Sequence, residues 1–349
     1  MNNYRDLMLL EGIPGHENNI SNKLINHIKK YKSFKLIRDN LGSVFAFKKG
    51  SSNKTLMIAG HMDEVGFIIT NITENGFLKI QPLGGVDPSI LLGLSLNIHT
   101  EKRIFTGYIG AIPPHLRKKQ NFGYENIMVD VGAKNKLEIT EMGIQLGDFA
   151  TFIPYYKELS KDRIIAKSVD NRFGVGLAMK MISKLDKIDL PYNIAIGATV
   201  QEEVGLRGAE TSVNTIKPDV FIALDASPVD DLDGKSDYSL GKGFLLRMYD
   251  PRNTMPEYLK NAFVNLANKN EIKFQYYISK GGTDAAKALD MFDGVVSTTI
   301  GLPARYIHSP MAVFDTNDLR HAEKFLLTLI MNLDENKIIL LKNGDFNVF

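Results

Sequence analysis

Four short stretches, residues 55–59, 192–200, 219–224 and 295–300, are almost continuously apolar rather than alternating. Runs of this kind suit strands buried on both faces, as in a sheet covered by helices on either side. Helical patterns separate them. Residues 171–185 place Val175, Ala178, Met179, Ile182 and Leu185 on one face, and further helical stretches follow at 256–269, 284–290 and 317–333, the last closing the chain. Near the start, a helix over 17–31 precedes a strand pair at 34–38 and 44–48. Strand–helix alternation of this sort predicts an α/β fold, a doubly wound mixed sheet flanked by helices.

One stretch breaks the alternation. Between 67 and 162, six β-rich pieces (67–72, 77–82, 95–99, 104–109, 127–131 and 149–153) are separated by Gly, Pro and Asn turns, with few helical signals. This reads as a small β domain, 67–162, inserted into a discontinuous domain made of 1–66 and 163–349. At 349 residues the chain can bury a substantial core in such an arrangement.

Composition narrows the function classes. The net charge of +2 comes from 42 basic and 40 acidic residues interspersed along the chain, so no broad footprint for nucleic acid or an anionic membrane is expected. The short cluster Arg117-Lys118-Lys119 reads as a solvated loop. The absence of cysteine excludes disulfides, thiolate metal sites and a cysteine nucleophile. Arg5, Asp6 and Glu11 interrupt the first residues, so they do not read as a signal peptide, and no run approaches the roughly 18 apolar residues of a membrane span. The cytoplasm is the expected location.

Three of the apolar runs lead into metal-ligating side chains: His61, Glu203 and Asp225. In open α/β sheets, ligands bind beyond the carboxyl ends of the strands, so three strands deliver these groups to one edge. Asp170 opens a helix, where the plain reading is an N-cap. His308 stands in a loop after a strand, where the plain reading is a solvated side chain. Asp63 shares a strand face with His61 and can accept a hydrogen bond from its second ring nitrogen, although Asp63-Glu64 also reads as a simple polar turn. The adjacent pair Glu202 and Glu203 suggests a division of labour, one acid on a metal and the other free as a general base. Histidines with carboxylates and no thiolate suit Zn²⁺, Co²⁺ or Mn²⁺. A second ion needs a bridging carboxylate, for which Asp170 is the natural candidate, and bound metal brings the pKa of water down to about 7.

The stretches His61-Met-Asp-Glu-Val-Gly66, Asp170-Asn-Arg-Phe-Gly174, Glu202-Glu-Val-Gly-Leu-Arg-Gly-Ala209, Gly281-Gly-Thr-Asp-Ala285 and Arg305-Tyr-Ile-His-Ser-Pro310 resemble, in order, the motifs of the M42 metallopeptidases. The resemblance covers nearly the whole chain. It implies a zinc-peptidase-like fold with an inserted β-barrel or PDZ-like dimerisation domain. It also implies a two-metal aminopeptidase acting on short peptides, with dimers assembled into a tetrahedral dodecamer. By the same resemblance His61, Asp170 and Asp225 hold one ion, Asp170, Glu203 and His308 hold the other, Glu202 is the base, and Asp63 is the acid behind the first histidine. The chain departs from the family's common wording at Asp225-Ala-Ser-Pro228 and at Ala312, where an acid is usual, though Asp315 matches an acidic position nearby.

Two other readings compete. A metal-independent glycosidase of the endoglucanase kind would use two carboxyls about 5–9.5 Å apart across a sugar. Neighbouring Glu202 and Glu203 match that poorly, and both histidines would be idle. A non-catalytic binding protein with structural metals would close each ion's shell with protein ligands, leaving Glu202 without a task.

Overall fold

The computed structural model describes residues 1–113, 115, 123–346 and 348–349. The Arg117-Lys118-Lys119 cluster lies outside the described residues.

In chain order the strands are β1 (Lys35–Arg38), β2 (Val44–Lys48), β3 (Thr55–His61), β4 (Gly66–Ile72), β5 (Phe77–Leu83), β6 (Ser95–His99), β7 (Ile104–Tyr108), β8 (Val129–Asp130), β9 (Phe149–Phe152), β10 (Tyr156–Glu158), β11 (Arg163–Ala166), β12 (Asn193–Thr199), β13 (Val220–Pro228), β14 (Phe244–Asp250), β15 (Asn253–Thr254), β16 (Phe274–Ile278), β17 (Val296–Arg305) and β18 (Ala312–Asp315). The helices are α1 (Asn2–Met8), α2 (Asn18–Ile28), α3 (Lys136–Met142), α4 (Val169–Leu185), α5 (Arg207–Ile216), α6 (Glu257–Lys269), α7 (Asp284–Leu289), α8 (Thr316–Asn332) and α9 (Glu335–Asn343).

The large sheet is mixed, in the order β1-β2-β12-β3-β13-β17-β18-β11-β10, with β14, β15 and β16 branching from β17. Its centre is parallel: β12 with β3, β3 with β13, and β13 with β17. The continuous apolar runs are explained by what covers each face. Leu56 and Ile58 of β3 join the core that contains residues of α1, α2, α4, α6 and α8, whereas Met57 and Ala59 pack with Val213 of α5 and Ala285 and Ala288 of α7. β13 divides the same way, Ile222 and Leu224 to one face and Phe221 and Ala223 to the other. The sheet is therefore doubly covered, as the sequence pattern predicts.

The strands β4-β5-β8-β7-β6-β9 close into an antiparallel barrel with its own core, including Phe67, Ile80, Leu96, Ile98, Val129 and Phe152. A barrel closes its hydrogen-bond ladder and leaves no free edge.

Three expectations are corrected. The run expected to end at Ile300 continues to Arg305, because β17 gains pairing partners on both sides, β13 as far as Ala304 and the unforeseen β14 at Ile300 and Gly301. The helix expected to close the chain is followed by α9, capped by the Asp334 side chain on the Lys337 N–H and by a left-handed Gly344. Within the β insert, α3 forms between the Asn135 cap and left-handed Gly143; it buries only Ile139, so it carries almost no apolar periodicity to read.

Candidate active site

The parallel strands β12, β3, β13 and β17 all run toward the same sheet edge. His61 is the last residue of β3, and it continues the row of Met57 and Ala59. Asp225 continues the neighbouring row of Phe221 and Ala223 on β13, two residues beyond the Ala223–Ala59 pairing, so it arrives level with His61. It does not end its strand, which carries on to Pro228. Glu202 and Glu203 follow β12 through a turn in which Gln201 adopts φ +54°. His308 follows β17 in a loop.

Asp170 comes from the first turn of α4, and two glycines bring it close. A Cβ on Gly60 would lie 2.7 Å from Gly174 Cα, and one on Gly174 would lie 2.7 Å from the Leu224 carbonyl. Helix and strands can approach this closely only because both positions lack a side chain. Asn171 fastens the contact by donating its side-chain amide to the Leu224 carbonyl at 2.6 Å.

These six side chains converge, with Asp170 between the two histidines. His61 Nε2 lies 3.1 Å from Asp170 Oδ1 and 3.5 Å from Asp225 Oδ1. His308 Nε2 lies 3.4 Å from Asp170 Oδ2 and 3.5 Å from Glu203 Oε1. Potential ligand atoms within 4.8 Å of one another form the sets His61-Asp170-Asp225 and Asp170-Glu203-His308, and a third, His61-Glu202-Glu203, meets the same spacing. Glu202 Oε2 stands 3.9 Å from His61 Nε2. The histidines His16, His27, His99, His115 and His321 belong to none of these sets.

Second contacts fix the two imidazole rings. His61 Nδ1 lies 3.0 Å from the main-chain carbonyl of Asp63 and 3.6 Å from its carboxylate. The expected bond to histidine is thus made by the main chain. The Asp63 carboxylate is turned instead toward the main-chain N–H groups of Glu202 and Glu203, at 3.1 and 3.0 Å. His308 Nδ1 lies 3.0 Å from the carbonyl of Gly85, a residue of the inserted stretch.

The electrostatics call for a cation. Burial lifts Glu203 to about 8, with Asp170 adding to the effect, and lifts Glu202 well above the usual carboxylate range, with His61 opposing and Asp225 and Glu203 reinforcing. Burial raises Asp225 as well, and its Oδ1 has no hydrogen-bond partner. Asp170 is held below its ordinary range: burial works against its ionisation, but His308 and His61 prevail. His308 moves up to about 9 despite burial, because Asp170 and Glu203 face it. Buried carboxylates crowded in this way are stable when they coordinate metal, and oxygen with imidazole suits a borderline divalent ion. The donor set fits the ions expected from the sequence.

A cavity of about 540 Å³ opens from this cluster. Its far wall includes Tyr238, Arg247, Tyr277 and Lys280. Arg247 holds the loop beside it, donating to the Gly281 carbonyl at 2.8 Å and to Ser227 Oγ at 2.8 Å. Beneath the cluster lies a buried ion network that shows in the sequence only as the polar pair Asp63-Glu64. Glu64 Oε1 accepts from Lys167 at 2.6 Å, Gly12 N–H at 3.0 Å and Arg172 at 3.2 Å, and Ser168 donates to its other oxygen. Asp284 is buried as well and accepts from Thr199 Oγ1 at 2.5 Å, and burial lifts it to about 7. The only hint at either was an acid inside an otherwise shared motif.

A profile of the M42 glutamyl aminopeptidase family matches residues 42–325. The glutamyl aminopeptidase of Lactococcus lactis subsp. cremoris is 38% identical over 87% of this chain and 88% of its own length. A TET aminopeptidase from a marine sediment archaeon of the Thaumarchaeota superposes with a TM-score of 0.93 at 30% identity, covering 98% of each chain. The TET1 peptidase of Pyrococcus horikoshii, described as assembling into a tetrahedron or a large octahedral shell, superposes at 0.86 with 31% identity, covering 94% of this chain and 98% of its own. With the profile spanning most of its length and the relatives agreeing, this chain belongs to the M42 glutamyl aminopeptidase family of peptide hydrolases.

Proposed function

We propose that this chain is a cytoplasmic aminopeptidase that removes the N-terminal residue from short peptides, using two divalent ions and Glu202 as general base. The observation that carries this reading is the division of Asp170, one oxygen facing His61 and the other His308. On this reading His61, Asp170 and Asp225 hold one ion, while Asp170, Glu203 and His308 hold the other. Zn²⁺ fits the donors best, and Co²⁺ or Mn²⁺ also suits them. When bound, such ions supply Lewis acidity toward a carbonyl and make water more acidic. Glu202 belongs to neither set built on Asp170, so its carboxylate is free to take a proton from water and return it to the departing amine. Asp63 contributes by holding the main chain of Glu202 and Glu203. The cavity beyond the cluster accommodates the side chain of the residue being released.

The same reading divides the chain into a catalytic domain, 1–66 with 163–349, and a dimerisation domain, 67–162. It is supported by the separate core of the barrel and by Ile104, Tyr108 and Met128 exposed on it. The assembly described for the Pyrococcus horikoshii TET1 peptidase supports the next step, dimers building a tetrahedral dodecamer. Such a shell would admit short peptides and exclude folded proteins.

A panel of aminoacyl chromogenic anilides, assayed with added Zn²⁺, Co²⁺ or Mn²⁺, tests the activity. Release of the coloured amine from at least one substrate is expected; uniform inactivity with all three ions would sink the reading. Light scattering on the eluted protein tests the assembly, and a monomeric mass would remove that part of it.

A further inference from the structure

Glu17 sits 184 residues before Gln201 in sequence, yet its Oε1 accepts the Gln201 N–H at 3.1 Å. The same oxygen accepts the Gly15 N–H at 2.9 Å, and the residue is 6% exposed. Gln201 holds φ +54°, a left-handed conformation that a non-glycine residue keeps only where its surroundings over-determine it. The next two donors along the chain, Glu202 N–H and Glu203 N–H, go to the two oxygens of Asp63. Three successive main-chain N–H groups are therefore held by two buried carboxylates that reach them from separate parts of the chain. The turn is tied on its other side as well, because Arg207 donates to the Gln201 side chain at 3.1 Å. This left-handed turn is what carries the chain off β12 and brings Glu202 and Glu203 to the site.

We propose that Glu17 is a positioning residue of the peptidase site, acting through the Gln201 N–H to keep Glu202 oriented for proton transfer. The inference rests on the reading of Glu202 as the base. Glu17 touches no reacting atom, so its removal acts on turnover and on the order of the 200–206 segment, leaving substrate affinity and ion content in place.

The test compares Glu17→Ala and Glu17→Gln in the metal-loaded full chain. Glu11→Ala is the control that loosens the same N-terminal stretch elsewhere, and Glu202→Gln is the reference. For Glu17→Ala, kcat falls about tenfold, as expected when a buried main-chain donor loses its acceptor, while KM stays within about twofold. Zn²⁺ content by metal analysis is unchanged, and amide hydrogen exchange across 200–206 quickens. Glu17→Gln, which keeps an acceptor oxygen, restores most of the turnover, whereas Glu11→Ala lowers the melting temperature without that loss. Wild-type kcat or unchanged exchange in Glu17→Ala overturns the proposal, as does a kcat loss that merely follows stability in both alanine variants. Should Glu17→Ala fail to fold, Glu17→Asp takes its place. Aspartate reaches less far, so it must lose turnover that glutamine keeps, and equal behaviour of the two overturns the proposal. Full activity in Glu202→Gln would instead remove the base assignment, whatever Glu17 does.

Discussion

The carboxylate of Asp63 accepts the main-chain N–H of Glu202 at 3.1 Å. With its second oxygen on Glu203, it grips the backbone of the two acids that face the cavity and so controls where they point. Asp63→Ala is expected to lower kcat by about 10- to 100-fold, the loss that goes with bonds to a charged acceptor. Steady-state kinetics with saturating metal check this, and a change confined to KM would contradict it.

Glu64 lies between two buried cations, Lys167 and Arg172. Replacing it by alanine leaves both uncompensated, along with the Gly12 N–H and Ser168 that it also accepts. Removing one partner of a buried ion network costs about 3–5 kcal/mol. Urea unfolding of Glu64→Ala at neutral pH should show a loss of that order, and Glu64→Gln should fall between the variant and the wild type.

Two acids away from the site give opposite pH dependences. Burial pushes Glu11 upward, but hydrogen bonds from His99, Thr151 and Asn97 bring it down to about 2. Its folded value lies below its ordinary value of 4.5, so its contribution is present above that pH and lost as pH falls toward 2. Burial lifts Asp318 to about 7, helped by Asp315 and opposed by the Gly241 and Gly243 N–H groups it accepts. Its contribution is present below its ordinary value of 3.8 and lost as pH rises through about 7. Thermal melts across pH should show the deficit of Glu11→Gln shrinking toward acid. Asp318→Asn should gain on the wild type as pH rises to neutrality.

The cavity wall speaks to side-chain preference. Two basic residues, Arg247 and Lys280, line the cavity. Arg247 is occupied with Gly281 and Ser227, while Lys280 is exposed beside it. Lys280→Glu is therefore expected to lower kcat/KM for an N-terminal glutamate about fivefold and to favour N-terminal lysine, a shift in keeping with one partly solvated charge. Parallel assays on glutamyl, leucyl and lysyl anilides measure it; equal effects on all three would exclude Lys280 from side-chain selection.

The legible parts of this chain were those with local signatures. His61 is legible because β3 is apolar on both faces and ends there, whereas Asp225 is marked only by the apolar run before it, since β13 continues to Pro228. Asp170 looks like an ordinary helix cap until Gly60 and Gly174 are seen in contact. What stayed hidden depends on distant partners. Glu64 meets Lys167 across 103 residues, and Gly85 of the barrel stretch meets His308 across 223. Neither pairing leaves a period or spacing to read, and α3 and α9, at 7 and 9 residues, are too short to leave one either.

Metal counting coupled to activity tests whether two ions at Asp170 drive the reaction. Protein stripped with a chelator should release no coloured amine from aminoacyl anilides, and titration with Zn²⁺ or Co²⁺ should restore release as two ions bind per chain. His308→Ala should bind one ion tightly and stay nearly inactive. Undiminished peptidase activity in the stripped protein, or full activity with a single ion per chain, would contradict an active site organised around the two oxygens of Asp170.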